Sequence, residues 1–175
     1  MFMEKWYPIR WGLILCIVTI LFSFILGGWM GGNENFFKGD FKQTIKANAV
    51  NVYANDKAKM DRAEERAWTY VKRSHMHAAG LGAIGLALLA PLPFLLKSSR
   101  IKSLIAIGYG LGGLGYSLSW LISGYRIPAL GTTTAAKESM AWLAAPSIGL
   151  LVLSTTAILL LYIRWAMTAP QKKEC

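Results

Sequence analysis

The chain has 175 residues, of which 54% are hydrophobic and 16% charged, with a formal net charge of +10 and a mean hydropathy of +0.39. That balance is too apolar and too sparsely charged for an ordinary soluble domain. The basic excess does not point to nucleic acid either, because most lysines and arginines sit in tails and connections between apolar runs, where they anchor a membrane protein.

Four runs match the roughly 20 helical residues needed to cross a hydrocarbon core of about 30 Å. The first, residues 11–30 (WGLILCIVTILFSFILGGWM), carries no charge and is longer than the core of a cleaved secretory signal, so it is read as a span. Residues 31–52 are polar and glycine-bearing and read as an irregular connection with short helices at most. From 56 to 73 (DKAKMDRAEERAWTYVKR) there is no Gly or Pro, and Asn55 or Asp56 offers a cap. Met60, Ala63, Ala67, Val71 and His75 follow at three- and four-residue spacing. An amphipathic helix over about 56–74 is therefore expected to run unbroken into the second span and to extend it outside the membrane.

The second span, residues 75–96, is rich in Ala, Gly and Leu and ends at Pro91 and Pro93; the third covers about 101–124. Residues 131–139 (GTTTAAKES) are expected to begin the fourth helix, with Thr132, Thr133 or Thr134 as cap, ahead of a span over 141–166. The expected fold is thus an all-α membrane protein, one domain over 1–175 with four transmembrane helices. Lys5 and Arg10 precede the first span, Lys97, Arg100 and Lys102 crowd the link between the second and third, and Arg164, Lys172 and Lys173 follow the fourth. The positive-inside rule puts these three groups and both termini in the cytoplasm, with 31–74 and 125–140 outside a cell inner membrane. Tryptophans and tyrosines at both ends of the spans fit interfacial belts.

The chemistry-bearing feature is SHMHAAGLGAIG at 74–85, which holds the chain's two histidines. Residues two apart on a helix diverge by about 200°, so His75 and His77 cannot share one central metal. His75 falls on a small-residue face with Val71, Ala78, Gly82 and Gly85, while His77 falls with Leu81, Ile84 and Leu88. A small-residue face accepts either a neighbouring helix or a flat macrocycle. The expectation is haem b with His75 or His77 as an axial ligand, a second ligand from Met60, Met76 or Met140, of which Met140 is the most reachable, or from another subunit, and Lys72, Arg73 and Arg126 pairing with propionates. Copper on imidazole and thioether is the alternative metal.

The run GYGLGGLG at 108–115 contains a GxGxxG spacing, but no strand precedes it. Gly108 and Gly112 read instead as a close helix contact, facing Gly80, Gly82 and Gly85 of the second span. Cys16 lies within the first apolar run and Cys175 is the last residue, so the two are expected at different depths and not in a disulfide. No acidic side chain lies within a span, which argues against a proton relay or ion-coupled carrier, and there is no hydrolase triad, zinc spacing or phosphate loop. Two functions follow as expectations. One is a small subunit of a redox complex that holds or flanks haem beside quinone or an outer-side cytochrome. The other is a cofactor-free accessory or scaffolding subunit. The expected partners are membrane lipids and other membrane or periplasmic subunits.

Overall fold

The structure, a computed structural model, describes residues 2–168; Lys172, Lys173 and Cys175 lie outside the described residues. A short helix α1 (Phe2–Trp6) and a 3-10 turn (Tyr7–Ile9) lead into α2 (Arg10–Gly32). Then come α3 (Glu34–Ala47), α4 (Lys57–Leu89), α5 (Leu92–Leu95), α6 (Ser99–Leu130), α7 (Thr133–Glu138) and α8 (Ala141–Thr168). No strand occurs among the described residues. Four stretches, beginning at Glu4, Lys57, Ser99 and Ala141, are long and apolar enough to cross a membrane, which makes this a multi-pass membrane protein.

Helix α2 shows how the sequence sorts its faces in such a solvent. Its buried residues are Gly12, Cys16, Thr19, Ser23 and Leu26, while Ile17, Leu21, Phe24 and Ile25 point away from the protein. Lipid tails are as apolar as leucine, so small residues that let backbones approach win the interior. Thr19 donates to the Leu15 carbonyl at 2.7 Å, so its hydroxyl is satisfied within the helix.

The connection expected to be irregular holds a 14-residue helix, α3. Phe37, Phe41 and Ile45, four residues apart, are buried on one face of it. That stripe outweighs the helix-weakening Gly39, which has open space where a Cβ would be. The chain then reverses through Ala54 and Asn55, both at positive φ (51° and 57°), and Asp56 starts α4 by accepting from the Lys59 amide at 3.1 Å. The predicted continuity holds: α4 is one helix of 33 residues, about 50 Å long at 1.5 Å per residue. Helix α6, at 32 residues, is of similar length.

Helix α4 ends at Leu89, where Pro91 and Pro93 divert the chain into α5, and the second candidate span continues through α5 to Leu95. Lys102, counted above among the anchoring charges, is 6% exposed, and its ammonium donates to the Pro93 carbonyl at 3.0 Å. Helix α6 stops at Gly131, whose φ of 76° is the left-handed C-terminal signal. Thr132 caps α7 by accepting from Ala135 at 3.1 Å. The 131–139 segment is therefore a separate short helix, and α8 starts afresh at Ala141.

Helices α4 and α6 form the central pair, α2 packs on both, and α8 packs along α6 without a comparable seam to α2 or α4. The glycines explain this arrangement. A Cβ at Gly112 would lie 2.8 Å from the Ser147 carbonyl oxygen, and one at Gly108 would lie 2.8 Å from Ser154 Oγ, so this face takes α8. Gly110 faces Leu15 of α2, while Gly82 and Gly85 face Ile20 and Cys16 of α2 and Tyr109 of α6. The expected pairing of Gly108 and Gly112 with Gly82 and Gly85 is thus replaced by separate glycine contacts from the central pair to its neighbours. Two buried clusters complete the fold. One, at what we term the cap end, unites Phe37, Phe41, Ile45, Tyr53, Ala67 and Ile127; the other, at the terminal end, unites Ile9, Cys16, Leu89, Leu92, Ile105 and Ile158.

Candidate functional site

His75 and His77 diverge as helix geometry requires, and the structure gives them different surroundings. His75 turns to α2, where its Nδ1 lies 3.0 Å from Ser23 Oγ and 2.9 Å from the Ser23 carbonyl oxygen. The Ser23 hydroxyl also donates to the His75 carbonyl at 3.0 Å. Gly27 makes room for the ring, since a Cβ there would lie 2.5 Å from Cε1 and 3.2 Å from Nε2. The imidazole is thus an interhelical tie packed against backbone, with its Nδ1 already committed.

His77 opens onto α6. Its ring centroid is 5.1 Å from that of Tyr116 and 5.3 Å from that of Trp120, and Tyr70 stands 4.8 Å from Trp120 on the other side. Residues 70, 73 and 77 share one face of α4 by their three- and four-residue spacing, and 116 and 120 share one face of α6, so the two helices appose two short stripes. Arg73 lies over this cluster, its Cζ 5.4 Å from the Trp120 ring and 5.8 Å from the Tyr70 ring. Lys137, from α7, places its Nζ 5.8 Å from each of the same two rings. Two cations from distant parts of the chain therefore converge on one aromatic pair. Among the described residues, none of the carboxylate ion pairs involves either of them.

Two recesses flank the Tyr116 and Trp120 rings. One, of about 520 Å³, is lined also by Arg73, Met76 and His77. The other, of about 310 Å³, lies between α4, α6 and α8, with Tyr70, Ser123 and Lys137 at its polar part and Ala144, Ala145 and Ile148 along its apolar wall. A gap exists there because α8 is held by α6 and not by α4.

The remaining predicted ligands stand elsewhere. Met140 is 2% exposed, and its sulfur accepts from Arg126 Nη1 at 3.7 Å; the same guanidinium reaches the Ser139 carbonyl at 3.4 Å. Neither residue lines the recess that holds His77. Among the described residues, no three His, Cys, Asp or Glu side chains converge to form a metal-binding group. The structure therefore brings together His77 and Arg73 but not His75, Arg126 or Met140. It adds Tyr70, Tyr116, Trp120 and Lys137, which sequence reasoning had not grouped. The spacing of 70, 73 and 77 and of 116 and 120 is visible in the sequence; the arrival of Lys137 is not. Chemically, the cluster offers delocalised and point positive charge over π faces, beside an apolar slot.

Compared with protein-family models, curated proteins and solved structures, the chain matches none at a significant level.

Proposed function

We propose that this chain is an accessory subunit of a larger membrane assembly. In this reading it is set in a cell inner membrane with both termini cytoplasmic and its cap end outside. The observation that carries this reading is the rigid cap. Helices α4 and α6 are each about 20 Å longer than a hydrocarbon core. Around their shared end, α3 and α7 are fastened by the buried Phe37, Phe41, Ile45, Ile127 and Ala136. A pillar that continues out of the bilayer as two unbroken helices is a platform suited to a soluble or membrane partner, and its surface carries the charges such contacts use, among them the Lys42–Glu64 and Lys57–Asp61 pairs. The basic link at Lys97 and Arg100 supports the orientation.

The test is purification from native membranes in a mild detergent. A stoichiometric partner subunit should accompany the chain and should crosslink to a photoreactive residue placed at exposed Glu65 or Lys46. Recovery of the intact, folded chain as an uncomplexed 19.3 kDa species in every mild detergent would overturn the proposal. Orientation is checked by cysteine labelling, with Lys46→Cys reactive from outside and Lys97→Cys only from inside.

A second reading, a redox subunit that holds or flanks haem b or contacts quinone, is favoured by one observation: His77 packs on Tyr116 and lines an open recess beside Arg73, whereas the His75 ring is tied to Ser23. Haem there would need a second axial ligand from a partner, and copper would need additional ligands as well. The native complex should then show a Soret band that His77→Ala abolishes and His75→Ala leaves in place. A native complex without that band, or one whose band survives His77→Ala, removes the haem version.

A further inference from the structure

We infer that the recess on the cap between the start of α4 and the α6–α7 turn seats an acidic segment of a partner protein. Its carboxylates meet Lys59, Arg62 and Arg66, and an apolar side chain rests against Val52 and Leu130. The inference rests on the accessory reading above and adds the chemistry of the partner.

The case rests first on charge. Lys59, Arg62 and Arg66 all line this one recess, which holds about 500 Å³. Their three- and four-residue spacing puts them on one face of α4, over about 10 Å of its length. Like charges at that spacing weaken a helix unless something neutralises them. Among the described residues, the carboxylate that reaches the set is Asp56, 3.7 Å from Lys59, and neither arginine has an ion pair. Three cations against one carboxylate leave a positive excess. The acids of α4 are treated differently, since Asp61 is paired with Lys57 and Glu64 with Lys42. A second copy of the chain, with those acids engaged, is a poor complement, and an acidic segment from another protein is a good one.

Shape and height supply the second argument. The floor of the recess is the buried Tyr53, Ala63 and Ile127, and the Tyr53 hydroxyl donates to the Pro128 carbonyl at 2.8 Å. That bond fixes the turn before α4 to the end of α6, so the recess is formed before anything enters it, and little ordering is left for binding to meet. Val52 and Leu130, each 37% exposed, give it an apolar edge. Counted back from Leu89 at 1.5 Å per residue, Arg66 stands about 35 Å and Lys59 about 45 Å along α4. Both lie past a hydrocarbon core of about 30 Å and beyond the acyl chains. A single phosphate meets only part of a row of three cations, whereas carboxylates spaced along a peptide match its length.

The experiment measures fluorescence anisotropy of labelled peptides on the full chain in phosphatidylcholine nanodiscs. A probe alternating glutamate with leucine should bind about tenfold or more tighter than its glutamine counterpart, and the gap should narrow as salt rises. Lys59→Gln with Arg62→Gln and Arg66→Gln should close the gap, Arg66→Gln alone should narrow it, and Lys46→Gln, outside the recess, should leave it unchanged. Leu130→Ser should weaken both probes alike, and melting curves check that each variant is folded. Equal binding of the two peptides, or a triple variant that behaves like the parent, overturns the inference. So does displacement of the acidic probe by tripolyphosphate at lower charge concentration, which makes the recess a polyanion pocket, or a dimer that the triple variant dissociates, which makes it a contact between copies. In native membranes a photoreactive residue at Leu130 should crosslink the co-purifying subunit. A subunit that crosslinks at Glu65 but never at Leu130 sinks this inference and leaves the accessory reading standing; absence of any co-purifying subunit removes both.

Discussion

Replacing Gly112 by alanine adds one methyl group where α6 meets α8. The new Cβ would lie 2.8 Å from the Ser147 carbonyl oxygen and 2.9 Å from both Leu151 N and Cγ. Two of those three atoms are backbone, so no rotamer change can clear them, and α8 must retreat by roughly half an ångström to reach an ordinary contact near 3.4 Å. Overpacking of this kind costs about 1–3 kcal/mol, and the gain in helix propensity from Gly to Ala returns only about 0.5–1 kcal/mol. Gly112→Ala should therefore destabilise the protein by about 0.5–2 kcal/mol. Gly149, on α8 itself, is the control: nothing lies within 4 Å of its Cβ position, so Gly149→Ala should be neutral or slightly stabilising. Equilibrium unfolding of both variants in bicelles, followed by near-ultraviolet circular dichroism, reads the difference. If Gly112→Ala proves as stable as Gly149→Ala, the close α6–α8 seam described above is wrong.

Gly27→Ala should destabilise by driving a methyl into the His75 ring. In a His75→Ala background the same change should cost less, so a double-mutant cycle with no coupling would refute the interhelical tie. Tyr53 donates from its buried hydroxyl to the Pro128 carbonyl at 2.8 Å, one of the carbonyls left without a partner at the end of α6, and Tyr53→Phe should cost about 1–3 kcal/mol in thermal unfolding. Asp56 has its carboxyl held below the ordinary 3.8, chiefly by the Lys59 backbone N–H. A depressed folded-state value means that its stabilisation is fully present above about 3.8 and fades as pH falls through the lower folded value. Asp56→Asn should keep the cap and remove that acid dependence from the melting profile, while Asp56→Ala should lower stability at neutral pH.

The cluster at Trp120 shows where sequence reasoning stops. Tyr70, Arg73 and His77 can be placed on one helix face by counting, as can Tyr116 and Trp120, because both stripes are periodic within single helices. That the two stripes meet, and that Lys137 joins them, depends on the register of α4 against α6 and on how the chain turns at Gly131 and Thr132. The divergence of His75 from His77 was legible for the same geometric reason, but its consequence was not. A serine on α2, 52 residues earlier, takes the His75 ring, and no spacing within α4 encodes that contact.

By itself the sequence determined the four apolar spans and the unbroken run from Lys57 into the second of them, and it narrowed the caps to Asn55 or Asp56 and to Thr132, Thr133 or Thr134. These depend on hydropathy, periodicity and a few neighbouring residues, so they are local quantities. Tertiary structure decided which glycine face meets which helix, the burial of Lys102 against Pro93, and the standing of α3 as a helix locked onto the cap. In lipid every span is apolar on all sides, so hydrophobicity cannot choose partners. That choice falls to shape and hydrogen bonding between segments far apart in the chain.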